Sequence, residues 1–261
     1  MSGESKGLLY IATGDRHNKE ALASAILSRP FACDLPIYCI TDQVDQVSSS
    51  GVFDKVSSHI DPVRSYRDKI TAMLSLPFKR TLFLDTDAFL VAPVDPLFQV
   101  AETADLAAVH APVRIPPGWI DQSVPSLFAE INSGVLLWKR SRKQKNLIQQ
   151  WLSLYDELKA SYDQDWDQAS LRSVLWSFVR ERRFRLAVMP AEANFRTTKP
   201  WVAGQGLPVH VLHGRIPVNE REPLLNYLNS EVNRFRTWSE WYQRFPDSKL
   251  RLRIGEIPPN P

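Results

Sequence analysis

The chain has 261 residues, 44% of them hydrophobic and 23% charged, with 32 Lys and Arg residues against 29 Asp and Glu residues. This composition is close to the globular average of ~45–50% apolar and ~25% charged residues, and it excludes a disordered chain. The net charge of +3 is too small to indicate a nucleic-acid partner. No apolar run reaches the ~18 residues of a membrane span.

Short apolar runs alternate with amphipathic stretches along the first two-thirds of the chain, and this alternation predicts an α/β fold with a mostly parallel sheet. The predicted strands are Leu8–Ala12, Leu35–Ile40, Thr81–Leu84 (continued as extended chain over Ala88–Val91), Asp105–His110, Ile131–Trp138, Leu186–Met189 and Val209–His213. The predicted helices are Asn18–Ser28, Tyr66–Leu76, Ser141–Leu158, Asp167–Phe178 and Leu224–Phe245.

The aromatic C-terminal part differs in composition from the rest. We expect one catalytic domain over residues 1–216 and a helical extension over 217–261 that packs on it and ends in a loose proline-rich tail. The two cysteines, Cys33 and Cys39, indicate a reducing compartment. The N-terminus lacks the cationic and long apolar regions of a signal peptide, so we predict a cytoplasmic protein.

The strongest chemical signal is a pair of carboxylates at the end of a predicted buried strand. In extended chain, Asp85 and Asp87 point to the same side, at the edge where open α/β sheets bind ligands. Two adjacent like charges need a neutralising partner, and carboxylate oxygens suit Mg²⁺ or Mn²⁺. The alternative interpretation is an ordinary polar turn.

Two histidines follow near the end of the last predicted strand. His213 directly precedes Gly214 and is the better candidate for a metal ligand, because neutral imidazole binds such ions. His210 has the opposite parity in the strand, so we expect it to be structural.

Two further polar groups accompany predicted strand and helix ends. An Asn132-Ser133-Gly134 turn is expected to feed the strand after it, and its glycine allows a ligand to approach the backbone. Asp167 is expected to be the N-cap of a helix, and an alternative is that Asp167 and Gln168 contact a sugar at the mouth of the sheet.

Five segments taken together resemble a known family. They are Leu9–Asp15, Phe83–Asp87, Asn132–Leu137, Trp166–Gln168 and Val211–Gly214. In this order they are similar to the nucleotide-diphospho-sugar transferases of the GT-A fold, in particular to the glycogenin and galactosyltransferase-like members of glycosyltransferase family 8. The resemblance covers residues 7 to about 215.

The resemblance implies a GT-A fold with helices flanking the sheet, a nucleotide-diphosphate sugar (UDP- or GDP-sugar) as donor, and transfer to an unknown acceptor with retention of configuration. It implies an Mn²⁺ or Mg²⁺ site at Asp85, Asp87 and His213, and sugar contacts and catalysis at Asn132, Asp167 and Gln168. The other expected donor contacts are Ala12, Thr13, Gly14, His17, Lys69, Thr86, Gly214 and Arg215.

Two other functions remain open at this stage. One is a metal-dependent nucleotide-binding protein without transfer activity. The other is a phosphatase of the haloacid-dehalogenase type, whose nucleophile strand also carries two aspartates. That class usually has Gly-Thr after its second aspartate, whereas Ala88 and Phe89 follow here.

Overall fold

The computed structural model describes residues 5–112, 118–197, 206–230, 243–244 and 246–247. Its strands are β1 (Lys6–Ala12), β2 (Ile37–Thr41), β3 (Lys55–Ser58), β4 (Arg80–Leu84), β5 (Ala88–Leu90), β6 (Leu106–His110), β7 (Ile131–Lys139), β8 (Leu186–Met189), β9 (Phe195–Arg196) and β10 (Val211–His213). Its helices are α1 (Asp15–Ser28), α2 (Val44–Ser49), α3 (Tyr66–Ala72), α4 (Asp95–Val100), α5 (Arg142–Tyr162), α6 (Asp167–Arg180) and α7 (Val218–Asn229).

A mixed central sheet organises the described part of the chain. Seven strands lie in the order β3-β2-β1-β4-β7-β6-β8. The sheet is parallel except at β7, which pairs antiparallel with both β4 and β6. This confirms the predicted α/β class with a mostly parallel sheet.

Each face of the sheet buries its own core, because successive strand side chains point to opposite faces. Leu8, Tyr10 and Ala12 of β1 belong to the cluster that packs against α1. Leu9 and Ile11 belong to the opposite cluster, which packs against α3, α5 and α6. The sheet is therefore covered on both sides, as parallel sheets require.

The long helix α5 forms where the sequence predicts an amphipathic helix. Ser141 is its N-cap, and its hydroxyl accepts a hydrogen bond from the Gln144 backbone N–H at 3.1 Å. Leu147, Trp151 and Tyr155 follow at four-residue spacing and are buried against the sheet.

A second, three-stranded sheet in the order β5-β10-β9 lies beside the first. β10 pairs antiparallel with β5 and parallel with β9. Its apolar side packs against α7 through Leu224 and Leu228. This small sheet brings His213 next to the segment that follows β4.

Two local predictions around the acidic pair and Asn132 need correction. Asp85 and Asp87 lie in a turn between β4 and β5, closed by a 2.9 Å hydrogen bond from the Ala88 N–H to the Asp85 carbonyl, and not in extended chain. Asn132, Ser133 and Gly134 lie inside β7 and form no turn, because this segment is bonded into the sheet.

The C-terminal helix begins earlier than predicted. α7 starts at Val218 and contains Pro223, whereas the sequence interpretation placed its start after this proline. Most of the predicted helical extension, including residues 231–242 and the tail after 247, lies outside the described residues. The domain boundary at 216 stays a prediction.

Candidate functional site

A cleft of about 480 Å³ lies at the carboxyl ends of β1 and β4. Because β7 runs antiparallel to β4, its amino-terminal residues reach the same edge. Open α/β sheets bind their ligands at this edge. The cleft is lined by Ile11, Thr13, His17, Arg64, Ser65, Tyr66, Asp68, Lys69, Asp85, Thr86, Asp87, Ser133, Asp165, Trp166, Asp167, Gln168, Arg196, His213 and Arg215.

Asp85, Asp87 and His213 form a candidate metal centre, with one ligand atom of each within 4.8 Å of the others. His213 Nε2 lies 3.4 Å from Asp87 Oδ1 and 3.9 Å from Asp85 Oδ2. The Asp85 N–H donates to the Gly134 carbonyl at 2.7 Å, and the Gly214 N–H donates to the Asp87 carbonyl at 2.9 Å. Backbone bonds from two sheets therefore hold the carboxylates in place.

Gly134 leaves room for this centre. A Cβ at this position would collide with the His213 ring and with the Asp85 carboxylate. Two carboxylates and an imidazole are a donor set that suits Mn²⁺ or Mg²⁺. The residues present therefore fit a divalent cation.

His213 is held as a neutral ligand by the residues behind it. Its Nδ1 donates to Asn194 Oδ1 at 2.8 Å, and Asn194 Nδ2 donates to Asn132 Oδ1 at 2.8 Å. Its Nε2 keeps an unprotonated lone pair, which Arg196 contacts at 3.0 Å, and an ion bound in the cleft would take the place of that contact. Burial and the Arg196 charge lower the pKa of His213. This tautomer is the one that a metal-binding histidine uses.

Asp87 is ionised. Burial opposes its charge, but the contact with His213 and the nearby charges of Arg215 and Arg196 outweigh this and hold its pKa well below the usual range. Arg215 lies 3.9 Å from Asp87 Oδ2 and also donates to Glu20 at 2.7 Å.

Lys69 supplies a buried positive charge beneath the carboxylates. Its ammonium lies 3.1 Å from Asp167 Oδ2 and 3.4 Å from Asp85 Oδ1, and it donates to Ser133 Oγ at 2.9 Å. Burial opposes this charge, but the two carboxylates raise the pKa of Lys69. Burial also raises the pKa of Asp167, which shares this single ammonium with Asp85.

Asp167 is the first residue of α6 and does not cap it. Trp166 is the N-cap residue and makes no side-chain capping bond, so the capping prediction was wrong. The Asp167 carboxylate turns to Lys69, because a buried carboxylate gains more from an ammonium than from a helix end.

The predicted site residues fall into two groups. Ten line the cleft, namely Thr13, His17, Lys69, Asp85, Thr86, Asp87, Asp167, Gln168, His213 and Arg215. The other four are absent from its lining: Ala12, Gly14, Asn132 and Gly214. Asn132 instead lies behind the cleft, where its Oδ1 accepts hydrogen bonds from Asn194 and from the Gly134 N–H.

His210 does not join the site. Its Nδ1 contacts the Pro93 carbonyl at 2.9 Å, in keeping with its expected structural role. The small-sheet register leaves His213, not His210, beside Ala88.

Several residues of the site were not predicted. They are Arg64, Tyr66, Asp68 and Arg196 in the lining, and Glu130 and Asn194 behind it. Arg196 and Asn194 carry no motif and reach the site only through the pairing of β9 with β10. The sequence could have indicated Glu130. It lies directly before a buried strand and two residues before Asn132, and a carboxylate in such a place is unusual.

No family model matches the chain, and no curated protein matches it. Solved structures do match its fold. Mouse xyloside xylosyltransferase 1 is 14% identical with a TM-score of 0.51, over 82% of this chain and 100% of that chain. The glycosyltransferase GlyE of Streptococcus pneumoniae is 16% identical with a TM-score of 0.56, over 92% of this chain and 60% of that chain.

The galactosyltransferase LgtC, solved with donor and acceptor sugar analogues, is 15% identical with a TM-score of 0.53, over 92% of this chain and 100% of that chain. A glutamine-to-glutamate variant of an active-site residue of LgtC is also among the matching structures. At these identities the likeness shows the fold. The chain therefore has the GT-A fold.

Proposed function

We propose that this protein is a metal-dependent glycosyltransferase that moves a sugar from a nucleotide-diphosphate sugar to an acceptor, with retention of anomeric configuration. The observation that carries the proposal is the joining of Asp85, Asp87 and His213 beside Lys69 in one cleft of a GT-A fold. This fold disfavours the phosphatase alternative. A nucleotide-binding role without transfer remains the second candidate, because the same cleft would serve it.

The charges of the cleft suit a diphosphate leaving group. Asp85, Asp87 and His213 would hold Mn²⁺ or Mg²⁺, and a bound ion supplies positive charge that offsets the negative charge developing as the glycosidic bond breaks. Arg64, Arg196 and Arg215 line the same cleft and add cations for the phosphate oxygens.

The nucleoside would lie near β1 and α1. Thr13 and His17 line this part of the cleft, and Thr13 Oγ1 donates to Asp68 Oδ2 at 2.7 Å. Asp68 also accepts from the Val63 and Arg64 N–H groups at 2.8 Å, which fixes the loop that carries Arg64. UDP and GDP are the nucleotides we expect.

The donor sugar would lie near Asp167 and Gln168. Lys69 keeps Asp167 in place, and the Ser133 N–H donates to Gln168 Oε1 at 3.0 Å, so both side chains have fixed orientations. Fixed polar groups select sugar hydroxyls by hydrogen bonding. LgtC also has a glutamine among its active-site residues, which supports a role for Gln168.

Calorimetry with UDP, GDP, CDP and ADP, each with and without Mn²⁺, tests the donor site. We expect micromolar binding of one or two nucleotides that requires the metal and is lost in Asp87→Asn. Asp45→Asn, an exposed change on α2 outside the cleft lining, is the matched control and should bind as the wild type does. Binding that ignores both the metal and Asp87 would refute the donor site.

Incubation with the nucleotide sugar that binds then separates the two candidates. Release of sugar to water or to a supplied acceptor, with the starting anomer preserved in the NMR spectrum, supports retaining transfer. Tight metal-dependent binding with an intact donor sugar after long incubation supports the binding protein.

A further inference from the structure

Glu130 is a buried carboxylate that the donor site described above does not use. It directly precedes β7 and its exposed fraction is 0%. Its Oε1 accepts hydrogen bonds from Trp166 Nε1 at 3.0 Å and, at close range, from Gln168 Nε2. Its Oε2 has no hydrogen-bond partner within the described part of the chain.

The contacts of Gln168 define which way its amide points. Nε2 donates to Glu130, and Oε1 accepts from the Ser133 N–H at 3.0 Å. Reversal of the amide would place an N–H against an N–H and an oxygen against a carboxylate. Since Gln168 lines the cleft, its remaining N–H and lone pair have one fixed arrangement toward a bound ligand.

Other charged groups surround this pair. Asp167 and Arg172 approach Glu130 from α6, with Lys69 of α3 on the far side of Asp167. Arg172 is committed to the Phe128 and Pro125 carbonyls at 2.7 and 2.9 Å. His110 of β6 is paired in register with Ile131, the residue after Glu130. No ammonium or guanidinium forms an ion pair with Glu130 among the described residues.

We propose that Glu130 is a positioning residue that, as a carboxylate, holds the Gln168 amide in its working orientation, so that the hydrogen bond that fixes Gln168 for transfer strengthens as Glu130 loses its proton. This inference rests on the proposed glycosyltransferase function for its catalytic consequence. Its structural part concerns only Glu130, Trp166 and Gln168.

The protonation state of Glu130 changes the strength of its hydrogen bond with Gln168. A carboxylate is a markedly better acceptor than a neutral acid, because charge-assisted hydrogen bonds are roughly twice as strong as neutral ones. Burial raises the pKa of Glu130 to about 7, the Trp166 and Gln168 hydrogen bonds oppose this, and the Asp167 charge adds to it. The change therefore falls near neutral pH.

The Gln168 side-chain amide itself reports on the contact, independently of activity. With glutamine selectively labelled with ¹⁵N, the resonance that is lost in Gln168→Glu identifies this group. We expect its chemical shift to titrate with a midpoint near pH 7 in the wild type. The titration should disappear in Glu130→Gln, which keeps the size of the side chain and removes its charge.

Glu220→Gln is the matched control, since Glu220 is also buried but lies on α7. It should leave the Gln168 titration unchanged. A Gln168 resonance that stays constant from pH 5.5 to 8.5 in the wild type overturns the proposal. So does a titration that persists in Glu130→Gln.

The rate of donor-sugar turnover tests whether the contact between Glu130 and Gln168 affects catalysis. We expect kcat of Glu130→Gln to be roughly fivefold lower than that of the wild type at pH 8, with little change in KM. The two enzymes should converge at pH 6, where the wild type is protonated. A deficit of the same size at both pH values indicates a merely structural role and overturns the regulation.

The two proposals fail separately. If no nucleotide binds and no sugar is released, the glycosyltransferase proposal fails while the amide titration still decides the role of Glu130. If binding and turnover are normal but the amide does not titrate, only the role of Glu130 is refuted.

Discussion

Lys69 is the buried cation that pairs with two carboxylates of the cleft, Asp85 and Asp167. It is buried together with Asp167, whose side chain is only 2% exposed, whereas Asp85 is 25% exposed and can be hydrated. A buried ion left without its partner is more costly than the pair was favourable. The stability of this region should therefore depend on Lys69 through Asp167.

We expect Lys69→Met to lower the free energy of unfolding by about 3–5 kcal/mol, because Asp167 is left as an unpaired buried charge. The double variant Lys69→Met with Asp167→Asn should recover most of this loss. Urea unfolding of the wild type, both single variants and the double variant completes the cycle. Additive effects of the two changes would contradict the pairing.

Ionised Glu130 should lower the free energy of unfolding, whereas Lys69 raises it. Its pKa of about 7 in the folded state lies above the 4.5 of an exposed glutamate. Below pH ~4.5 Glu130 is protonated in both the folded and the unfolded protein, so its burial costs little stability. The loss of stability grows as the pH rises to about 7 and is constant above that value. It then amounts to roughly 3 kcal/mol.

Glu130→Gln should consequently be more stable than the wild type at pH 8 and nearly equal to it at pH 4.5. Thermal melting across this range measures the difference. A constant difference at every pH would contradict the raised pKa. The gain in stability would accompany the loss of kcat expected above, as is common at functional sites.

The sequence predicts the ligand residues of the site better than the residues that support them. Asp85, Asp87 and His213 are recognisable because each is a polar side chain at the end of an apolar strand. Asn194 and Arg196 are not, since nothing in their own segment indicates contact with His213, 17 or more residues away. Such contacts depend on strand pairing, which single-sequence patterns do not determine.

At the scale of elements, the long segments with clear periodicity were predicted, as were the short strands β5, β8 and β10, whereas four other short elements were missed. β1, α1, α5 and α6 each bury a continuous apolar run or stripe. α2, α4, β3 and β9 have two to six residues each, too few to show a period. β9 matters most, because it carries Arg196 beside β10.

At Gly134, β7 lies close against the β4–β5 turn and β10. We expect Gly134→Ala to weaken Mn²⁺ binding by roughly 10–100-fold, the usual effect of disturbing the groups around metal ligands. The added methyl group would displace the His213 ring and the Asp85 carboxylate. Calorimetric titration of Mn²⁺ measures the loss.

Gly51→Ala is the control for Gly134→Ala. Gly51 has a positive φ of 66° and no neighbour within 4 Å for a Cβ, so alanine there strains the backbone without touching the residues that line the cleft. It should lower the melting temperature without changing Mn²⁺ affinity. Equal Mn²⁺ affinities in both variants and the wild type would rule out the packing role of Gly134.

At the scale of the whole molecule, ligand binding should stabilise both sheets together with α1, α3 and α6, since residues of all of them line the cleft. None of the described helices is long and apolar enough to cross a membrane. Saturation at 100 times the Kd adds about 2.7 kcal/mol.

For a chain of this size, that gain corresponds to a rise of roughly 5–10 °C in the melting temperature. We expect it with Mn²⁺ and the preferred nucleotide together, and a much smaller rise with the nucleotide alone. Asp87→Asn should show neither rise. Equal shifts with and without Mn²⁺ would exclude metal-dependent binding.

The pairing of β5 with β10 has a consequence for synthesis on the ribosome. The two carboxylates are translated at positions 85 and 87, but their third partner follows only at 213. At ~5–20 residues per second, roughly 6–25 s separate them. During this interval β4 can already pair with β1, while the apolar side of β5 has neither β10 nor α7 to cover it. Phe89 and Val91 are thus left uncovered in the nascent chain, and the later synthesis of β10 and α7 completes both the core around them and the metal centre.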